Sequence, residues 1–187
     1  MAADALDRPT TQPMGGSVRV SPMRRRHLDA VVAIEHRAYP RPWPRRLFEA
    51  ELDKPGRHYL VARDGRRVVG YGGVLYQAGD VHLTTVAVDP SVQGRRVAGR
   101  LVHELVLVAR TLTADGGLTL EVRAGNRTAQ RLYRSFGFGA EGRRPGYYAD
   151  NGEDAVIMWL HDLHGAAASA TLRRSTQRLA GLTPAPD

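Results

Sequence analysis

Apolar residues in this chain recur at two spacings, and the switch between them predicts most of its elements. Over residues 24–38, Leu28, Val31, Val32, Ile34 and Ala38 fall on one helical face. Pro40 and Pro42 break that helix, and a second begins near Pro44, where a first helical turn accepts proline. Val97, Leu101, Leu105, Val108 and Leu112 mark a longer helix, and Ala129, Leu132, Tyr133 and Phe136 a shorter one over 126–136. Strand patterns occupy SVRV (17–20), HYLVAR (58–63), RVVGYGGVLY (67–76), VHLTTVAV (81–88), GLTLEV (117–122), FGAEGR (138–143) and AVIMWL (155–160). Asp64-Gly65 between the second and third is a hairpin signal. The order is strand, two helices, three strands, helix, strand, helix, two strands, which predicts a mixed α/β sheet.

The ends differ from this middle. Residues 1–16 are rich in Pro, Gly, Thr and Ala and read as a flexible leader. Residues 164–187 allow a short basic helix around Ala170 to Leu179, but their apolar content is thin, so the expectation is a loosely ordered basic tail. One compact domain, 17–163, lies between. No stretch has the apolar length of a signal peptide or a membrane span, which points to a cytoplasmic protein. There is no cysteine, hence no disulfide framework, zinc ribbon or thiol nucleophile. The formal charge of +8 rests almost wholly on arginine, Lys54 being the single lysine among 27 basic residues. The charge is spread along the chain. It favours an anionic ligand or partner without identifying one.

At one junction the charge does change the picture. In VAVDPSVQGRRVAGRLV, residues 86–102, a strand runs into a helix through a loop of small and basic residues. The first helical turn has N–H groups without partners and a dipole that favours negative charge, so this is an anion site. The triphosphate-binding loop is excluded because Gly99 is followed by Arg100 and Leu101 rather than Lys-Ser/Thr. The dinucleotide fingerprint is excluded because Gly94 and Gly99 leave its third glycine missing.

That loop resembles the coenzyme A loop of the GNAT N-acetyltransferases. LEVRAGNRTAQRLYRSFGF resembles the same family's fifth strand and fourth helix, and GYYADNGEDAVIMW resembles its branch that acetylates the N-terminal alanine of a small-subunit ribosomal protein. The resemblance runs from about Val18 to His161, with the three motifs in the family's order and spacing. It implies a GNAT fold: a mixed, mostly antiparallel seven-stranded sheet, about four flanking helices, and a cleft between the central strands. It implies acetyl-CoA as co-substrate. Val86, Ala87 and Val88 would expose backbone to the pantetheine arm, while Gln93, Gly94, Arg95, Arg96, Val97, Ala98 and Gly99 hold the pyrophosphate. Arg96 departs from the pattern, standing where most members have glycine. Its Cβ disfavours left-handed backbone, so either the loop tolerates it or its side chain pairs with phosphate.

Acetyl transfer needs a neutral amine, a polarised thioester and a proton for the departing thiolate. Glu121 alternates with Leu120 and Val122, which puts it on the opposite face of its strand. The resemblance makes it the general base. Tyr133, twelve residues on, then becomes the acid, and Asn126 caps its helix and contacts the coenzyme. Trp43, Tyr147 and Tyr148 match positions that wall a peptide N-terminus. An α-amine, with pKa roughly 7.8, is neutral for about a tenth of the time at pH 7, against a few in ten thousand for lysine. This favours an N-terminal acceptor. A lysine or small amine acceptor is the alternative, and a non-catalytic RNA- or ribosome-binding module a third reading. The seven histidines have no metal spacing, His103-Glu104 lacks the second histidine of a zinc protease, and no Gly-x-Ser-x-Gly elbow occurs.

Overall fold

A computed structural model describes residues 18–180; the leader expected over 1–16 lies outside the described residues. The elements are β1 (Arg19–Pro22), α1 (Leu28–Ala38), α2 (Arg45–Leu52), β2 (Arg57–Asp64), β3 (Arg67–Gln77), β4 (Asp80–Val88), α3 (Val97–Leu112), β5 (Leu118–Arg123), α4 (Arg127–Ser135), β6 (Gly139–Tyr148), β7 (Glu153–Leu160) and α5 (Ala166–Ala180). Their order is the one the hydrophobic pattern predicts, with α5 added. The strands form one seven-stranded sheet in the order β1-β2-β3-β4-β5-β7-β6. Every pairing is antiparallel except β4 with β5.

Each sheet face is buried under its own apolar cluster. Leu28, Val31 and Ile34 of α1 and Phe48 of α2 pack on Val61, Tyr71 and Ala87. Leu101, Leu105 and Ala109 of α3 and Tyr133 of α4 pack on Leu83, Leu118, Leu120 and Met158. Burying one such leucine contributes about 1.5–3 kcal/mol, so the period-3.6 and period-2 patterns meet across both faces and select this layering. At Gly72 a Cβ would come within 2.8 Å of Leu105, so the glycine lets α3 lie close on the sheet.

The parallel pair is short, and that shortness creates the cleft. β4 and β5 are in register only at Val81↔Leu118 and His82↔Thr119. In β4 both Leu83 and Thr85 find partners on adjacent β3 residues, so Thr84 is an extra residue, a bulge. A bulge bends its strand. Beyond it β4 continues to Val88 and β5 to Arg123 without a shared ladder.

The tail differs from expectation. Residues 166–180 form a regular helix, and Ala168 and Leu172 enter the same buried cluster as α3, together with Leu163. Ala168, Leu172 and Ser175 lie at helical spacing, 5%, 6% and 7% exposed. Small residues let the helix approach closely, so a thin apolar stripe suffices where a neighbouring helix supplies the rest of the core.

Candidate active site

The loop after β4 is anchored by Asp89. Its Oδ1 accepts from the Ser91 N–H at 3.0 Å and the Ser91 hydroxyl at 2.9 Å; its Oδ2 accepts from Arg67 at 2.8 Å and Arg37 at 3.0 Å. Burial alone would raise this carboxyl, but those donors outweigh it and hold it below the usual aspartate range. The chain then turns through Gly94 at φ +82° and Arg96 at φ +57° into α3. The first intrahelical bond runs from Arg100 N–H to the Arg96 carbonyl at 3.1 Å, so the amides of Val97, Ala98 and Gly99 have no helical acceptor. These three residues line a cavity of about 780 Å³ that also takes in Val86, Val88, Gln93, Gly94, Arg96, Asn126 and Tyr133.

Two of the residues expected to hold the coenzyme are absent from the cavity lining. Ala87 turns its side chain into the cluster beneath α1, and the cavity is lined by its neighbours Val86 and Val88 instead. Strand alternation around the bulge makes that choice. Arg95 lies outside the lining, with Nη1 4.0 Å from Asp64. Arg96 adopts the left-handed backbone that glycine would take, so the loop tolerates the substitution. Its guanidinium donates to the Arg178 carbonyl at 3.4 Å.

On β5, Leu118, Leu120 and Val122 enter the cluster under α3 and α4, which leaves Glu121 on the other face, as alternation predicts. Its side chain is 8% exposed and its carboxylate is held from two sides. His82 Nε2 lies 2.7 Å from Oε2, and Arg144 Nη2 lies 3.3 Å from Oε1. The hydrogen bond to His82 is the main cause that lowers its pKa, ahead of opposing burial, with the charges of His82 and Arg144 adding to it. Neither partner was singled out in the sequence. His82 faces Thr119 across the parallel pairing and so shares the parity of Glu121, a relation that only the strand register reveals. Arg144 comes from the far edge of the sheet and carries no local signal.

Tyr133 lines the cavity on the α4 side. Its ring meets Phe138 edge-on at 5.8 Å, and burial pushes the phenol well above its ordinary pKa. Asn126 caps α4, its Oδ1 accepting from the Ala129 N–H at 3.0 Å. Thus a carboxylate stands on one face of the sheet and a protonated phenol lines the cavity on the other, beside the strands that part.

The Glu121 face is walled by aromatic residues. Trp43 is half-buried, its ring 5.5 Å from Phe48 and its backbone N–H donating to Glu35 Oε1 at 3.0 Å. Glu35 is itself buried, and burial raises its pKa against that one hydrogen bond. Tyr39, half-buried between α1 and α2, donates its hydroxyl to the Val86 carbonyl at 3.1 Å, so one of the expected backbone acceptors is already engaged. Tyr147 and Tyr148 stand edge-to-face at 5.2 Å. Burial pushes the Tyr148 phenol up to about 12, and the Arg123 guanidinium lies 3.9 Å above its ring. Arg123 is pinned by Asp150 at 2.8 and 2.9 Å and Glu153 at 3.1 Å. Glu153 also accepts from the Gly125 N–H at 2.7 Å, and Asp154 from the Gly146 N–H at 3.0 Å. The acidic pair in this motif therefore fixes the β6–β7 hairpin against the entry to α4. Among the described residues no group of three or more His, Asp or Glu could hold a metal, and no helix is long and apolar enough to cross a membrane.

Residues 28–138 match the family model described as acetyltransferase (GNAT) family. The Mycobacterium tuberculosis N-alpha-acetyltransferase RimI is 41% identical over 121 residues, which are 63% of this chain and 74% of that protein. The crystal structure of the ribosomal-protein-S18-alanine N-acetyltransferase from Escherichia coli matches with a TM-score of 0.69 at 28% identity, over 76% of this chain and 92% of that one. Arabidopsis thaliana NAA60 in complex with acetyl-CoA matches with a TM-score of 0.68 at 18% identity, over 76% and 97% of the two chains; that likeness bears on the fold alone.

Proposed function

The chain belongs to the GNAT acetyltransferase family, and from that premise we propose that it transfers the acetyl group of acetyl-CoA to the α-amine at a protein N-terminus. The acceptor we propose is an N-terminal alanine of a small-subunit ribosomal protein, the activity named for the Escherichia coli neighbour. The observation that carries the reading is the placement of Glu121 and Tyr133 on opposite faces of the sheet where β4 and β5 part.

The coenzyme supplies an acetyl thioester whose sulfur leaves. The cavity fits it, because Val97, Ala98 and Gly99, whose amides have no helical acceptor, line a space that Arg96 and Arg178 also line. Val86 and Val88 flank the arm. Asn126 holds the first turn of α4 while facing the same space. Glu121 takes the proton that the amine nitrogen releases as it bonds to the acetyl carbon, directly or through one water. Tyr133 gives its hydroxyl proton to the sulfur as the carbon–sulfur bond breaks, and recovers one from solvent afterwards. Trp43, Tyr147 and Tyr148 wall the incoming peptide.

The electrostatics bear on the acceptor. A carboxylate held below its ordinary value is more than three pKa units from an α-ammonium, so stripping that proton first would cost over about 4 kcal/mol. Glu121 therefore acts on an amine that arrives neutral. An N-terminus meets this condition for about a tenth of the time at pH 7, and a lysine some hundreds of times less often.

The test is turnover with acetyl-CoA on peptides that differ only in their first residue, with and without an internal lysine, read by mass spectrometry. Acetylation of the α-amine, fastest with alanine, is the expected outcome. Acetylation confined to lysine or to small amines would replace the acceptor. A Glu121→Gln variant with unaltered turnover would remove the mechanism.

A further inference from the structure

The helix that the family model does not reach forms a wall of the coenzyme cavity. The match to the family ends at residue 138, whereas Ser175, Arg178 and Leu179 of α5 line the same space as Gly94, Arg96 and Ala98. These three α5 positions stand at spacings of three and one, so they share one side of the last helical turns. Their register is set by Ala168 and Leu172, which the core holds a turn or two earlier.

The end of α5 is also bonded to the loop. Arg100 donates to the Leu179 carbonyl at 2.7 Å and Arg96 to the Arg178 carbonyl at 3.4 Å. Those carbonyls lie in the last described turn of α5, at the helix end where the dipole favours cations. The two arginines nearest the free amides therefore secure α5 against the loop. Arg178 remains exposed, its Nε donating to the Arg174 carbonyl at 3.3 Å. Among the described residues no carboxylate pairs with Arg96, Arg100 or Arg178.

Coenzyme A carries two kinds of phosphate, the diphosphate and a monoester at the 3′ position of its ribose. The loop amides account for the first. We infer that α5 is the outer wall of the coenzyme's nucleotide end and that Arg178 is a binding residue for the 3′-phosphate. A guanidinium suits a terminal phosphate because its planar fork can reach two oxygens. Placement supports the nucleotide end over the acyl end: the end of α5 bonds to Arg96 and Arg100 at the start of α3, its earlier turns bond to His103 and Arg110 of the same helix, and among the described residues none of its hydrogen bonds reaches Glu121 or its partners.

Calorimetric titration of the full chain tests this with two probes, coenzyme A and 3′-dephospho-coenzyme A. Arg178→Glu should weaken binding of coenzyme A about tenfold and leave the 3′-dephospho form nearly unchanged. Arg173→Glu makes the same change of charge on the same helix, outside the lining, and should leave both affinities in place. Equal weakening for both probes would move Arg178 to the diphosphate and overturn the assignment. Unchanged or tighter binding of coenzyme A by Arg178→Glu would also overturn it. If the unaltered chain bound no coenzyme A, the cofactor reading itself would fall, and this inference with it.

Discussion

His82 on β4, in the last paired position of the two strands, meets Glu121 on β5, two residues beyond its partner Thr119, Nε2 to Oε2 at 2.7 Å. The contact spans the point where the ladder ends. It holds the Glu121 carboxyl below its ordinary range, on the face that strand alternation gives it. The imidazole touches the carboxylate and not the reacting atoms, which makes His82 a positioning residue for the proposed base.

Replacing His82 removes the largest influence that lowers the Glu121 pKa. The carboxyl then rises toward its ordinary value and is protonated at higher pH. In His82→Gln the acid limb of kcat/KM should therefore begin at higher pH than in the unaltered chain, with coenzyme affinity unchanged. A limb that stays in place would separate His82 from the chemistry.

Glu121→Gln keeps the shape of the side chain and removes the proton acceptor. Turnover should fall about 10²- to 10⁴-fold, in line with general-base catalysis, while calorimetry with coenzyme A reads an unaltered affinity.

Tyr133 is held neutral by burial, so its proton is available across the working pH range. Tyr133→Phe should lower kcat by about a hundredfold. The edge contact with Phe138 survives that change, so thermal melting should move little. A large loss of stability with unaltered kcat would assign the tyrosine to the core alone.

Asp89 has a folded pKa below its unfolded value, so its stabilisation is fully present above about pH 4 and is lost as pH falls through the folded value. Asp89→Asn leaves the Arg37 and Arg67 donors with a weaker acceptor and should cost about 1–3 kcal/mol at pH 7. Urea melts at pH 7 and pH 3 check this, since the gap between variant and unaltered chain should narrow in acid.

Leu172 anchors α5 to the core at 6% exposure. Leu172→Ala should destabilise the chain by about 2–3 kcal/mol. A loosely ordered tail would show almost no change, which makes this melt a direct check on the helix.

Most elements were legible from sequence because their signals are local. The spacing of Val97, Leu101 and Leu105 requires one helical face, and Asp64-Gly65 turns the chain whatever surrounds it. The α5 helix was not legible as an ordered element, because Ala168, Leu172 and Ser175 look insufficient until α3 supplies the opposing surface. The side-chain face of Ala87 was not legible for a related reason: the bulge at Thr84 shifts parity along β4, and nothing in VHLTTVAV announces it.

The sequence by itself determined the order of the elements, the face on which Glu121 stands, and the cap on α4. It also determined the departure at Arg96, since each of these depends on neighbours within a turn or a strand period. Only the tertiary structure decided that His82 and Arg144 flank Glu121, that β4 and β5 part after two pairs, and that the end of α5 closes against the loop. Those relations join residues up to 82 positions apart. They are set by how strands pair and helices pack, and the spacing of side chains along one segment carries no record of them.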